Sequence, residues 1–445
     1  MRMPKKQQVL GSIPFLLLAA LSFLGVFIQE GAPLATGGPI NPGDVAWMLT
    51  ASGLVLLMTP GLSFFYGGMV GRKNVISTML QSFICLGVIS LLWVTVGFSL
   101  AFGKSMDGWI GNPLTFFMFQ HVGGQTHPDL SPTIPLILFA LFQLKFAIIT
   151  PALITGAFAE RVRFNSYLLF ICLFSVFVYS PLAHWTWHPE GFLRKMGVLD
   201  FAGGTVVHMS AGFAALAGAL ALGRRRSHIS GEHHTPANIP FVLLGTGMLW
   251  FGWFGFNAGS ALAANELATQ AFLTTNTASA SAMLSWIFFD GIRGRKPSAL
   301  GACIGAVVGL VAITPAAGYV SVGASIMIGF LSSIISNLAV YWKSRSTLDD
   351  TLDVFPCHGV GGIFGMIATA VFAKDVGLMT GNTKTFMVHL LAMLGVSAFT
   401  FIGSYILFKL TDLILPMRVN PENEAMGLDL SQHGESTHGN YHQEG

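Results

Sequence analysis

An all-α polytopic membrane protein is the fold class this sequence predicts, and three observations predict it. Of the 445 residues, 53% are hydrophobic and only 10% charged, whereas soluble domains carry about 25% charged residues. Apolar runs of about 20 residues, the length that crosses a bilayer, recur along nearly the whole chain. Cations cluster in alternate polar loops, as positive-inside topology requires. The net charge of +3 decides little, because position matters more than total. Cys85, Cys172, Cys303 and Cys357 stand in apolar segments without paired spacing. They read as small packing residues rather than a disulfide framework or metal set.

The chain opens with Arg2, Lys5 and Lys6, an apolar run from Val9 to Ile28, and then Gln29-Glu-Gly-Ala-Pro-Leu-Ala35. This pattern predicts a signal peptide over residues 1–36, with cleavage favoured over a retained anchor. Spans are then expected over Ala46–Tyr66, Val75–Phe102, Ile134–Ala159, Tyr167–Ala183 and Phe201–Leu222, with residues 103–132 as a polar loop. A second series follows: Ile239–Ala258, Ala268–Phe289, Leu300–Ile313, Tyr319–Trp342 and Val360–Phe372. Phe386–Leu415 is the last. The total is about 11 transmembrane helices at the length a bilayer demands. Arg72, Lys73, Arg161, Arg163, Arg224–Arg226, Arg293, Arg295, Lys296, Lys343 and Arg345 all fall on one side. Lys104, Arg194, Lys195, Lys374 and Lys384 fall on the other. The richer side is predicted cytoplasmic, which puts the mature N-terminus outside and the C-terminus inside, in the cell's inner (plasma) membrane.

Two series of five with opposite topology predict an inverted repeat, 5+5, plus one C-terminal helix. Asp200 and His208 open the fifth span of the first series. Asp350 and His358 stand at the same spacing in the second, so the two histidines are expected to meet near a pseudo-two-fold axis. Histidines at membrane depth are costly and point to a site. Three roles are open: packing groups hydrogen-bonded across helices, axial ligands of a haem, or a pore-lining pair offering both donor and acceptor. No Cys, His and carboxylate cluster of the kind zinc needs accompanies them. Trp185 and Trp187 lie in the outer loop after span four, and Phe256, Asn257 and Ser260 end span six. Indole faces attract cations and a hydroxyl accepts from a protonated amine; an aromatic belt would also place tryptophan there. Asp200 either adds negative potential or caps the helix starting at Phe201.

Asp200-Phe-Ala-Gly-Gly-Thr-Val-Val-His208 resembles a motif of the ammonium transporter family (Amt/Mep, related to Rhesus proteins). So do Phe65-Tyr-Gly-Gly68, Gly156-Ala-Phe-Ala-Glu-Arg161 and Gly252-Trp-Phe-Gly-Phe-Asn-Ala-Gly-Ser260. Lys296-Pro-Ser-Ala-Leu-Gly-Ala-Cys303 and Val354-Phe-Pro-Cys-His-Gly-Val-Gly-Gly362 extend the resemblance over about residues 43–435. It implies a homotrimer with one conduction path per subunit. Trp187, Phe146 and Ser260 match the family's external ammonium-binding site, Asp200 its supporting carboxylate, Phe146 and Phe256 a phenyl gate, and His208 and His358 the twin-histidine pore. The resemblance implies that ammonium is deprotonated before the hydrophobic pore and passes the histidines as ammonia, with separate passage of the proton open. Residues 43–417 would form the transmembrane domain and 418–445 the cytoplasmic tail, where Met426-Gly-Leu-Asp429 and Ser431-Gln-His-Gly-Glu435 match a segment that docks a PII-type signalling protein. The end beyond about His438 is expected to be a disordered polar end.

One residue departs from the pattern. Lys145 puts a cation beside Phe146, free to snorkel, to meet another subunit or to face the vestibule. No cofactor, enzymatic activity or nucleic-acid partner is expected; membrane lipid surrounds the chain. The alternative function is an ammonium sensor signalling through the tail.

Overall fold

The computed structural model describes residues 5–28, 31–232 and 234–437. Among the described residues the chain is all-helical apart from two small hairpins. Helix α1 covers Lys5–Phe27, within the expected signal peptide, and exposes Phe15, Phe23 and Phe27. The remaining long helical runs are α2 (Pro42–Met69), α3 (Arg72–Phe102), α4 (Leu136–Phe158), α5 (Phe164–Met196), α6 (Gly204–Leu222), α7 (Ile239–Gly259), α8 (Glu266–Ile292), α9 (Ala299–Ile313), α10 (Val322–Ser344), α11 (Phe355–Phe372) and α12 (Thr383–Ile414). Among the described residues, nine of these are long and apolar enough to cross a membrane. The two other expected spans fall short in different ways. α9 has 15 residues. α8 has 27, but Thr, Ser and Asn interrupt its apolar surface.

Side-chain caps set many of the starts. Asn41, Asn238, Asn265, Ser298, Ser321 and Asn382 each accept a backbone N–H from the first turn of α2, α7, α8, α9, α10 and α12, offsetting donors that a helix start leaves unpaired. Two expected starts were misplaced: α6 begins at Gly204 rather than Phe201, and α11 at Phe355 rather than Val360. Both begin with a π-helical turn, Gly204–Met209 and Phe355–Val360.

Small residues bring the helices together. α2 and α7 form the most extensive pair. A Cβ on Gly255 would lie 2.7 Å from the Ala51 carbonyl, and one on Gly61 would lie 2.9 Å from the Met248 Cβ. At Gly212 of α6, a Cβ would run into the backbone of Gly359 in α11. Packing at this range is what associates helices in lipid.

Residues 103–132 are more ordered than a plain loop: Ser105–Met106 pairs with Ile110–Gly111, and Thr126–His127 pairs with Ser131–Pro135. At the end of the bundle bearing Arg72, Arg161 and Arg225, the basic end, a buried ion cluster closes the structure. Arg225 binds Asp349 through Nε and Nη2 and reaches Glu160 at 2.6 Å. Arg161, fully buried, donates to the Asp349 carbonyl at 2.6 Å and to Thr351 at 2.8 Å. The tail folds beneath this cluster. Asp429 accepts from Ser77 N at 2.8 Å, Lys73 donates to the Ala425 carbonyl, and Arg418 pairs with Glu424. Residues 438–445 lie outside the described residues.

Candidate functional site

The site lies where α6 and α11 start. Asp200 spends its carboxylate on the backbone: Oδ1 accepts from Gly203 and Gly204 N at 2.8 and 2.6 Å, and Oδ2 from Thr205 N and the Thr205 hydroxyl. Of the two roles open to Asp200, helix capping is the one the geometry shows, although the residue also lines the cavity described below. Gly203 has φ 117°, a left-handed geometry that glycine reaches at little cost. Asp350 repeats the arrangement, accepting from Val354 and Phe355 N at 3.1 and 2.7 Å. Asp353, three residues on as Gly203 is from Asp200, also has positive φ, 58°.

Each capped turn carries its histidine inward. His208 and His358 are buried, with ring centroids 5.4 Å apart and Nδ1 atoms 3.3 Å apart. Hydrogen-bond accounting assigns their protons. The Thr314 hydroxyl donates its one proton to the Leu310 carbonyl at 2.7 Å. Its oxygen therefore accepts from Trp253 Nε1 at 2.9 Å and from His208 Nε2 at 3.3 Å. With its proton on Nε2, His208 offers Nδ1 as acceptor to the Nδ1–H of His358. His358 Nε2 is left as an acceptor.

Aromatic rings continue the column. Phe256 lies 6.1 Å from His208, and Phe146 stacks on Phe256 at 4.1 Å and 31°. Trp187 stands edge-on to Phe146 at 5.6 Å, its Nε1 donating to the Asp200 carbonyl at 3.3 Å. Above these rings, at the end opposite the basic one, opens a cavity of about 400 Å³ lined by Phe146, Trp187, Asp200, Ser260, Gln143 and Arg194, among others. Phe256 is fully buried behind Phe146. The Ser260 hydroxyl donates to the Phe256 carbonyl at 2.9 Å, so its oxygen keeps acceptor capacity. On the basic side of His358 a second space, lined by Phe65, Tyr66, Cys357 and Asp353, holds about 10 Å³. That is room for about one water-sized particle.

The seven residues matched to the family's site stand along one column: Trp187, Ser260 and Asp200 at the cavity, Phe146 and Phe256 beneath it, and His208 and His358 below them. Trp185, whose Nε1 donates to the Trp109 carbonyl, and Asn257, whose amide donates to Thr275, are not in the cavity lining. Lys145 is different. It is 9% exposed and is not among the residues lining that cavity. The cation at the cavity is Arg194, whose Nη1 donates to the Trp187 carbonyl at 2.9 Å. Sequence reasoning missed Thr314 and Trp253. Trp253 lies within a quoted motif, but Thr314 ends a short apolar helix with nothing to mark it. Among the described residues, no three His, Cys, Asp or Glu side chains are grouped to hold a metal ion.

A bundle of apolar helices with a histidine pair in its interior, reached through an aromatic-floored cavity, defines a multi-pass membrane protein built around a narrow path. Residues 46–438 match the model of the Ammonium Transporter Family, and the chain belongs to that family. It is 46% identical over 407 residues to a putative ammonium transporter of Methanothermobacter thermautotrophicus, covering 89% of this chain and 98% of that one. The crystal structure of Candida albicans Mep2 superposes with a TM-score of 0.82 at 37% identity, covering 89% of this chain and 90% of that one. A structure described as a sensor Amt protein gives 0.81 at 30% identity, covering 88% and 98%.

Proposed function

We propose that the protein carries ammonium across the membrane by taking up NH4+ at the wide cavity, deprotonating it, and conducting NH3 past His208 and His358. One observation carries this reading: the unbroken order of Trp187, Phe146, Phe256, His208 and His358 through an otherwise apolar interior. Ring faces at Trp187 and Phe146 attract a cation by about 0.5–2 kcal/mol each, and Ser260 Oγ accepts an N–H. Beneath them the rings close the path to a hydrated ion. A bare charge pays heavily to enter such an interior. Ammonium escapes that cost by leaving its proton behind, and K+ has none to leave. The histidine pair then gives the neutral molecule a donor and an acceptor.

Eleven spans in an inverted 5+5 repeat are supported by the matched caps at Asp200 and Asp350 and by the pairing of α2 with α7 and of α6 with α11. The cation distribution favours the basic end as cytoplasmic, with the mature N-terminus outside once residues 1–36 are removed, in the inner membrane. A PII-type signalling protein is the partner read for the tail, and the packing of the tail against Lys73 supports an ordered surface there. A homotrimer is favoured by the exposed amide of Asn276 on α8, which lies in an otherwise largely apolar groove. The relatives are described as transporters, and this chain is read accordingly; the sensor-like structure leaves signalling as an added role. The test is ammonium-evoked current in proteoliposomes with K+ as control. A saturating current with ammonium and none with K+ is expected. No current and no NH3-driven pH change from folded protein would overturn transport.

A further inference from the structure

The wide cavity contains a polar group that the proposed mechanism has not used. Gln143 lines the cavity one turn of α4 before Phe146, with only 9% of its surface exposed. Its Oε1 is buried and, among the described residues, has no hydrogen-bond partner. Leaving a buried amide oxygen unpaired costs about 1–3 kcal/mol, so such an atom is either a defect or an acceptor held ready.

The neighbouring groups show why this one is available. All four donors around Asp200 are spent on its carboxylate. Trp187 Nε1 is committed to the Asp200 carbonyl, and the Thr186 hydroxyl to that of Thr205 at 3.5 Å. Ser260 keeps lone pairs, but its proton is used. None of these groups can donate to Gln143 Oε1 without giving up an existing bond, and Arg194, which keeps further N–H groups, lines the same cavity without reaching it. A molecule entering with its own N–H groups can.

We propose that the Gln143 side-chain carbonyl is a direct ligand of ammonium in the wide cavity, acting with Ser260 Oγ and the rings of Phe146 and Trp187. This rests on the transport reading above. Four N–H donors on one small cation then meet two oxygens and two π faces, a division of labour that neither the rings nor the serine provides alone. Hydrogen bonds to a charged donor are the stronger kind, so Gln143 raises affinity. A carbonyl oxygen also attracts K+, which leaves discrimination to the deprotonation step below.

The experiment measures ammonium-evoked flux in proteoliposomes for the wild type and for Gln143→Leu, Gln143→Met and Gln143→Glu, with K+ as competitor. Leu and Met remove the oxygen at similar volume. Each is expected to raise the half-saturating ammonium concentration about tenfold, the loss of one charge-assisted bond, with maximal flux nearly unchanged. Glu restores oxygen and adds charge, so it is expected to lower half-saturation below wild type. Damage to packing would instead move all three variants together and lower maximal flux. If the wild type conducts and Leu and Met leave half-saturation within twofold, Gln143 is not a ligand and transport stands. A wild type that carries no flux overturns the transport reading and this proposal with it.

Discussion

Thr314 decides more than its size suggests. Its single proton goes to Leu310, which makes its oxygen an acceptor and so sets the proton of His208 on Nε2. Removing that oxygen frees His208 to take the other tautomer, so the order of donor and acceptor along the histidine pair is no longer set. Thr314→Val keeps the shape and is expected to lower maximal ammonium flux about tenfold, the effect of about one lost buried hydrogen bond. Half-saturation should hold, because the wide cavity is untouched. Thr314→Ser should restore flux; if Ser behaves like Val, the hydroxyl is not the cause. Arg194 acts in the opposite sense at the cavity. A guanidinium beside Trp187 opposes an incoming cation, so Arg194→Gln should lower half-saturation about twofold at low salt, less as ionic strength rises. An unchanged value at low salt would mean solvent already screens it.

At the scale of elements, the two capped turns were half legible. The repeated spacing of Asp200 to His208 and Asp350 to His358 was visible in the chain, and so was the meeting of the histidines. The starts at Gly204 and Phe355 were not, because they depend on a positive φ at Gly203 and Asp353 and on π-helical turns. Apolar periodicity carries no record of either. Asp200→Asn removes an acceptor from a turn that uses both carboxylate oxygens, and should cost about 2 kcal/mol. Flux should fall with it, since Trp187 is tethered to the same residue. Where the helices end at the basic side, the ion cluster predicts a pH dependence. Burial alone would raise the Glu160 and Asp349 carboxyls, but Arg225, with Gly71 N–H at Glu160 and Arg161 at Asp349, holds both below the usual range. Their contribution is present above about pH 4 and is lost as pH falls through the depressed values. Asp350 runs the other way. Burial, with Asp353 adding to it and Lys343 opposing, pushes its carboxyl up to about 6 from 3.8. The unfolded chain ionises first, so stability falls as pH rises from about 4 to 6. Thermal unfolding of Asp350→Asn should be flat across that interval where wild type declines; a matching decline in the variant would assign the effect elsewhere.

For the whole molecule, composition and charge placement were enough to read a helical membrane bundle, because a bilayer allows few alternatives. The small hairpins within residues 103–132 were not readable, since strands of two to five residues leave no periodic signal. Nor could the sequence place Lys145, whose surroundings depend on which face α4 turns outward. α8 is the informative case. It fell short as an isolated span because Thr, Ser and Asn recur along it; Thr274, Thr275 and Ser279 are buried against neighbouring helices, but Thr269 and Asn276 are exposed. Asn276 lies ten residues into the helix, about 15 Å along its axis, and with Trp47, Phe254, Phe272 and Leu273 it lines a surface groove of about 880 Å³. An amide facing lipid at that depth is expensive, and such groups normally turn toward protein. The proposed homotrimer supplies that protein. Native mass spectrometry in mild detergent should give about three chain masses, and Asn276→Arg, which adds a charge to the buried seam, should shift the population toward monomer. A monomeric wild type, or a variant as trimeric as wild type, would place Asn276 against lipid and require another account of its cost.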